Sequence, residues 1–182
     1  ENTHILFFSD HGDMHGSHGM FLKTHPYEES LRIPFVIGGA SHYAGVTRAR
    51  VDYPINHVDI APTTLGLCGI RPPEWMQGTD YSAARLGGTV QNAPDSAYIQ
   101  KNVERPTGYG TQFPWRGIVT RVGWKYVCLA GTPYLMFNLN EDPLEQHNMA
   151  LNSFFSEKRR ELNERLRRWV EETGDDFLLP KL

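Results

Sequence analysis

Apolar positions follow two different patterns along the chain. In residues 1–95 they come in short unbroken runs, Ile5-Leu6-Phe7-Phe8 and Ile33-Pro34-Phe35-Val36-Ile37. Runs without polar alternation predict short strands covered on both faces, as in a parallel sheet. Gly38-Gly39 closes the second run. Between them, Pro26 opens a short helix over Tyr27–Leu31 with Glu28 and Glu29 in its first turn. Residues 40–50 read as a polar loop carrying Arg48 and Arg50. The stretch Asn56–Cys68 predicts a helix from about Asp59, with Pro62 in its first turn, where a missing N–H costs little, and Gly69 just past its end. A further short helix is predicted over Tyr81–Leu86.

From residue 96 the pattern changes. Ser96–Gln100, Arg116–Thr120, Lys125–Leu129 and Tyr134–Leu139 read as short strands. Gly123, Gly131-Thr132-Pro133 and Asn140-Glu141-Asp142-Pro143 read as the turns between and after them, which predicts a small antiparallel meander. Phe155, Leu162, Leu166, Trp169 and Val170 recur at helical spacing and predict a terminal helix over about Phe154–Thr173, capped by Ser153 and ended by Gly174. The four tryptophans, Trp75, Trp115, Trp124 and Trp169, are expected in the core. The organisation is thus an α/β part over 1–95 and an antiparallel-sheet-plus-helix part over 96–182. Two strands are too few to complete an α/β sandwich, so an open sheet edge and face are expected.

Composition changes this picture little. A length of 182 residues is enough for a substantial core, and 40% hydrophobic with 21% charged residues is ordinary for a globular chain. The net charge of −3 provides no field for nucleic acid. Between residues 157 and 172 six Lys/Arg face five Glu, which reads as a solvated helix face. Cys68 and Cys128 read as free buried thiols. No apolar run approaches the roughly 20 residues of a spanning helix. The start at Glu1-Asn2-Thr3, without initiator Met or leader, reads as a processed or truncated chain.

Candidate chemistry concentrates in residues 9–25, which hold four of the eight histidines. Asp10-His11 sits where the first strand ends, the usual place for a ligand in an open α/β sheet. A carboxylate oxygen and an imidazole nitrogen suit a divalent cation. On local chemistry the alternative, Asp10 capping a turn beside a polar His11, stands equally. A zinc site on His11, His15 and His18 is disfavoured, because Gly12, Gly16 and Gly19 oppose a helix there. Lys23 and His25 offer an ammonium and an imidazole suited to an oxyanion, against the plainer reading of a surface lysine and a capping histidine. Glu29 and Arg32, three apart, read as a structural ion pair. His57 and Asp59 read as capping and packing groups.

The segment Ser9-Asp10-His11-Gly12-Asp13-Met14 with Gly16, His18 and Gly19, followed by Lys23-x-His25-Pro26-Tyr27-Glu28-Glu29-Ser30-x-Arg32-Ile33-Pro34, resembles the second metal-binding segment of type I sulfatases, in the alkaline phosphatase superfamily. His57–Thr63, Met76-Gln77-Gly78, Arg116–Thr120, Trp124-Lys125-Tyr126 and Leu139–Asn148 resemble later segments of the same family. The resemblance implies a partial alkaline-phosphatase-like α/β/α sandwich with a small C-terminal antiparallel sheet and a terminal helix. It implies Asp10 and His11 as ligands of a divalent metal, Ca²⁺ first, with Mn²⁺, Mg²⁺ or Zn²⁺ as alternatives. Lys23 takes the role of the lysine that contacts the sulfate, and His25 that of a substrate-pocket histidine. The implied activity is cleavage of a small-molecule or glycan sulfate ester by a formylglycine nucleophile. The nucleophile motif and the first metal segment are absent here; Cys68-Gly-Ile-Arg-Pro does not match the former. The chain alone is therefore expected to be inactive, as the C-terminal part of a larger protein. His11 in place of the family's frequent Asn leaves a phosphodiester or phosphonate monoester hydrolase as the alternative activity, and a non-catalytic metal-binding fragment as the alternative class. Compartment stays open, with a periplasmic or secreted placement implied by the resemblance.

Overall fold

In a computed structural model, residues 2–39, 50–102 and 112–182 of the chain are described; the polar loop read over 40–50 lies outside them but for Arg50. The chain forms two compact units. The first takes Glu1–Asp10 and Ile33–Asp95, the second His11–Arg32 and Ser96–Leu182. The boundary at 95/96 coincides with the change of pattern in the sequence. The segment His11–Arg32 nevertheless groups with the C-terminal part, because its contacts run to the second sheet.

In the first unit, β1 (His4–Phe8) and β2 (Phe35–Gly39) form a two-stranded sheet. The pair is antiparallel, with Leu6 opposite Ile37, and not the parallel pair expected. A run that is apolar on both faces signals two-sided burial and carries no information on strand direction. Nor is the pair buried: Ile5, Phe7 and Val36 are all more than half exposed. α2 (Ile60–Leu67) follows a short helical turn over His57–Asp59, and α3 (Ser82–Arg85) packs beside it. Asn56 and Asp59 form a reciprocal capping box, with Asp59 Oδ2 accepting the Asn56 N–H at 2.7 Å. Asp59 Oδ1 accepts the Thr79 N–H at 2.7 Å and ties in the loop at Gly78. Trp75 is 79% exposed, against the expectation that it lies in the core.

In the second unit, β3 (Ser96–Lys101), β4 (Trp115–Thr120), β5 (Trp124–Leu129) and β6 (Thr132–Asn138) form the expected antiparallel meander in chain order. Period-two alternation sends its side chains to two faces. Ile118, Tyr126, Cys128 and Met136 join Leu162, Leu166 and Val170 of α4 (Ser156–Glu172). Trp115, Val127, Leu135 and Phe137 pack on the other face against Tyr27 and Leu31. Asn152, not Ser153, caps the start of the terminal helical segment; its Oδ1 accepts the Phe154 N–H at 2.9 Å. Cys128 is buried as expected, but Cys68 is exposed.

The face away from α4 thus carries α1 (Glu28–Leu31) and the loop before it. Gly12 seats that loop: its N–H donates to Ser30 O at 2.9 Å, and a Cβ built on it would lie 1.9 Å from Glu29 O. The obstacle is backbone, which no rotamer change can relieve. Gly12→Ala is expected to destabilise the chain by about 1–3 kcal/mol, the usual cost of overpacking, read as a lowered thermal midpoint. An unchanged midpoint would show that the loop has room to shift.

Candidate functional site

The loop His11–His25 is folded by backbone bonds within itself. Met14 N–H donates to Leu22 O at 2.8 Å, and Gly16 N–H to Met20 O at 2.8 Å, so its two arms run side by side. Met14, 1% exposed, anchors it. Four non-glycine residues of the loop lie in the left-handed region: His15, His18, Leu22 and Thr24, with φ of 46°, 53°, 66° and 78°. Side chains with a Cβ rarely adopt such backbone, and it persists only where neighbours enforce it.

Folding the loop back on itself joins its ends. The Lys23 ammonium meets His11 Nε2 in a short hydrogen bond. The other ring nitrogen, Nδ1, lies 2.6 Å from Gly12 O. A carbonyl only accepts and an ammonium only donates, so the proton of His11 sits on Nδ1 and Nε2 carries the lone pair. This is the tautomer that metal ligation through Nε2 requires.

Asp10 closes the first unit's N-terminal strand segment and is exposed. Ser9 Oγ donates to its Oδ1 at 3.4 Å, a weak bond. His57 Nε2 lies 3.0 Å from Ser9 O and fixes the backbone just before Asp10. That role was not visible in the sequence, where His57 looked like a packing group; only the fold brings residue 57 to residue 9.

His25 is 9% exposed. Burial, helped by the nearby Lys101 ammonium, holds its imidazole below the ordinary histidine value. It therefore stays neutral at pH 7. Nuclear magnetic resonance titration is expected to find its midpoint below 6.5. Because the folded state resists protonation there, stability is complete above the ordinary midpoint and falls as the solution is acidified through it. A midpoint at or above 6.5 would contradict the burial described.

Glu29 does not make the expected ion pair with Arg32; it accepts a hydrogen bond from Ser17 Oγ. His18, Glu29 and Glu145 bring ligand-capable atoms within 4.8 Å of one another. That grouping is committed elsewhere. Glu145 Oε1 holds Lys125 Nζ at 2.6 Å, and its Oε2 accepts the Glu28 N–H at 2.7 Å. Lys125, fully buried, also reaches Glu28 Oε1 at 2.9 Å. An ammonium beside Glu145 opposes a second cation. The network fastens α1 to β5 and to the turn over 142–145.

The sequence and structure comparisons agree. The family model for the C-terminal part of N-sulphoglucosamine sulphohydrolase matches residues 16–172. An ulvan-active sulfatase of Formosa agariphila is 34% identical over 97% of this chain and 34% of its own length. A solved protein in complex with its substrate D-glucosamine-2-N,6-O-disulfate is 27% identical with a TM-score of 0.78, over 96% of this chain and 35% of that one. A phosphonate monoester hydrolase of Agrobacterium radiobacter is 25% identical with a TM-score of 0.79, over 93% of this chain and 35% of that one. The chain thus spans about a third of the length of each of these three. No helix among the described residues is long and apolar enough to cross a membrane. Taken with the loop, the meander and the terminal helix, the family match establishes that this chain belongs to the N-sulphoglucosamine sulphohydrolase C-terminal family, the C-terminal part of the sulfatase fold.

Proposed function

We propose that the whole protein hydrolyses a sulfate ester, on a small molecule or a glycan, and that this chain supplies one side of its active centre. Asp10 and His11 hold a divalent cation, and Lys23 and His25 bind the anionic group. The observation that carries this reading is the meeting of Lys23 with His11, from opposite ends of one loop. The donor chemistry fits a cation: an exposed carboxylate and an imidazole whose Nε2 lone pair faces outward from the Nδ1–Gly12 bond. Two donors are too few for any common ion, so the remaining ligands, like the formylglycine nucleophile, come from outside these residues. Such a cation supplies positive charge against the sulfuryl oxygens. Lys23 adds a compact charge where negative charge develops on the leaving oxygen. His25, neutral and buried, offers a hydrogen bond without a second full charge. The ulvan-active relative and the amino-sugar disulfate complex favour sulfate on a sugar. Ca²⁺ is the cation the family resemblance suggests; His11 makes Mn²⁺ or Zn²⁺ reasonable competitors.

The test is a pair of matched aryl esters, sulfate and phosphate, given to the full-length protein with each metal in turn. Faster cleavage of the sulfate, abolished by chelation, is expected, with no cleavage by the 182-residue chain alone. Faster cleavage of the phosphate would replace this reading with that of a phosphoryl or phosphonyl hydrolase, which the Agrobacterium radiobacter neighbour resembles in name.

A further inference from the structure

We infer that Trp115, on the far sheet face from α4, is a positioning residue that holds Lys23 and His25 in place by clamping the peptide between them. The inference rests on the proposal that these two residues bind the sulfate. Trp115 is 1% exposed, and its ring packs in the cluster with Val127, Leu135 and Phe137. Its one polar atom, Nε1, donates to Thr24 O at 3.2 Å. Thr24 carries a β-branched side chain at φ 78°, in the left-handed region. Left alone, such a residue relaxes to negative φ. That rotation would swing Lys23 and His25 relative to one another. The indole N–H is thus placed on a carbonyl whose fixation opposes the relaxation.

The clamp is itself held rigidly. Trp115 lies opposite Lys101 in the β3–β4 register. Arg116 Nη1 donates to the carbonyls of both, at 2.9 Å to Lys101 and 3.1 Å to Trp115. Arg116 in turn is gripped by Asp175, at 2.5 and 3.2 Å, and its guanidinium lies 4.6 Å from the centre of the Phe177 ring. The segment after the terminal helix therefore braces the β3–β4 pair, and β4 braces the site loop. Lys101 completes the arrangement, because its charge acts on His25 while its strand partner holds Thr24.

A core tryptophan with an incidental hydrogen bond would look similar, so the test must separate the N–H from the ring. Trp115→Phe keeps an aromatic ring in the cluster but removes the donor together with part of the indole's bulk, so the same change in a second background controls for the lost volume. Thr24→Gly makes positive φ easy without a clamp. In Trp115→Phe the backbone chemical shifts of Thr24, which report φ, are expected to leave left-handed values. The kcat for a sulfate ester in the full-length protein is expected to fall tenfold to a hundredfold, the range that small misplacements produce. In the Thr24→Gly background the same Trp115→Phe change is expected to cost less than threefold, since the two substitutions act on one strained peptide. Unmoved Thr24 shifts in Trp115→Phe, or an equal loss in both backgrounds, would overturn the clamp. Retained activity in Lys23→Ala would instead remove Lys23 from the anion-binding role on which the inference rests, while the Thr24 shifts would still decide the clamp.

Discussion

Replacing Lys23 with alanine is expected to lower sulfate-ester turnover by the full-length protein about 10²–10³-fold, the usual loss when one preorganised donor to a developing oxyanion is removed. The structure adds a second, opposite expectation. The ammonium of Lys23 sits on the lone pair of His11. A cation binding at His11 must displace it, and the displaced lysine is then free to meet the ester. Lys23→Ala should therefore leave Ca²⁺ or Mn²⁺ affinity unchanged or improved, whereas Asp10→Ala and His11→Ala should weaken it. Calorimetric titration separates these effects from turnover. Lys23→Arg should rescue little, because a planar fork cannot occupy the place of a point charge in a loop this closely folded. More than a tenth of normal activity in Lys23→Ala, or a metal affinity as poor as that of His11→Ala, would remove Lys23 from the anion-binding role.

The largest expected effect on folding belongs to Lys125. Its side chain is fully buried, as is that of Glu145, and it holds two carboxylates, Glu28 and Glu145. Lys125→Met keeps the volume and leaves two negative groups without their cation. Breaking a buried pair from one side costs about 3–5 kcal/mol. For a chain of this size that corresponds to a thermal midpoint lower by about 6–20 °C. The loss should depend on pH. Burial pushes the Glu145 carboxyl above the ordinary glutamate value, and Lys125 pulls it partly back. Without Lys125 it rises further. A protonated Glu145 leaves no bare charge, so the deficit is smallest in acid and grows as pH rises through the carboxyl's raised value. Calorimetric midpoints from acidic to neutral pH check this; a deficit that widened on acidification would contradict it.

Much of the fold was legible because period-two alternation and turn residues are local signals. The four strands of the meander and the face Leu162-Leu166-Val170 of the last helix stand within a few residues of where the pattern placed them. The direction of β1 against β2 was not legible, since partner identity is not a local property. The candidate site divides in the same way. The sequence picked out Asp10, His11, Lys23 and His25 by residue type and family resemblance; the bond between His11 and Lys23 needed the loop to be folded. Supporting residues were missed because they look like something else. Trp115 reads as core, and is core, apart from one N–H. Lys125 has no part in the sequence reading beyond opening a predicted strand and lying in a family-like segment; in the fold the turn at Glu145 and the helix at Glu28 close over it. A polar residue at an inward position of an otherwise apolar strand was the available signal.

The two-faced β5 also protects the chain from a particular folding error. Its odd positions, Lys125 and Val127, serve the site loop, and its even positions, Tyr126 and Cys128, serve the terminal helix. Sliding this strand by one residue would exchange the two sets. The ammonium would then enter the largely apolar layer against α4, away from Glu28 and Glu145, a costly burial of a charge. Mispaired forms of the sheet are thus rejected by a single buried charge, so the lysine that secures the finished site also proofreads its assembly.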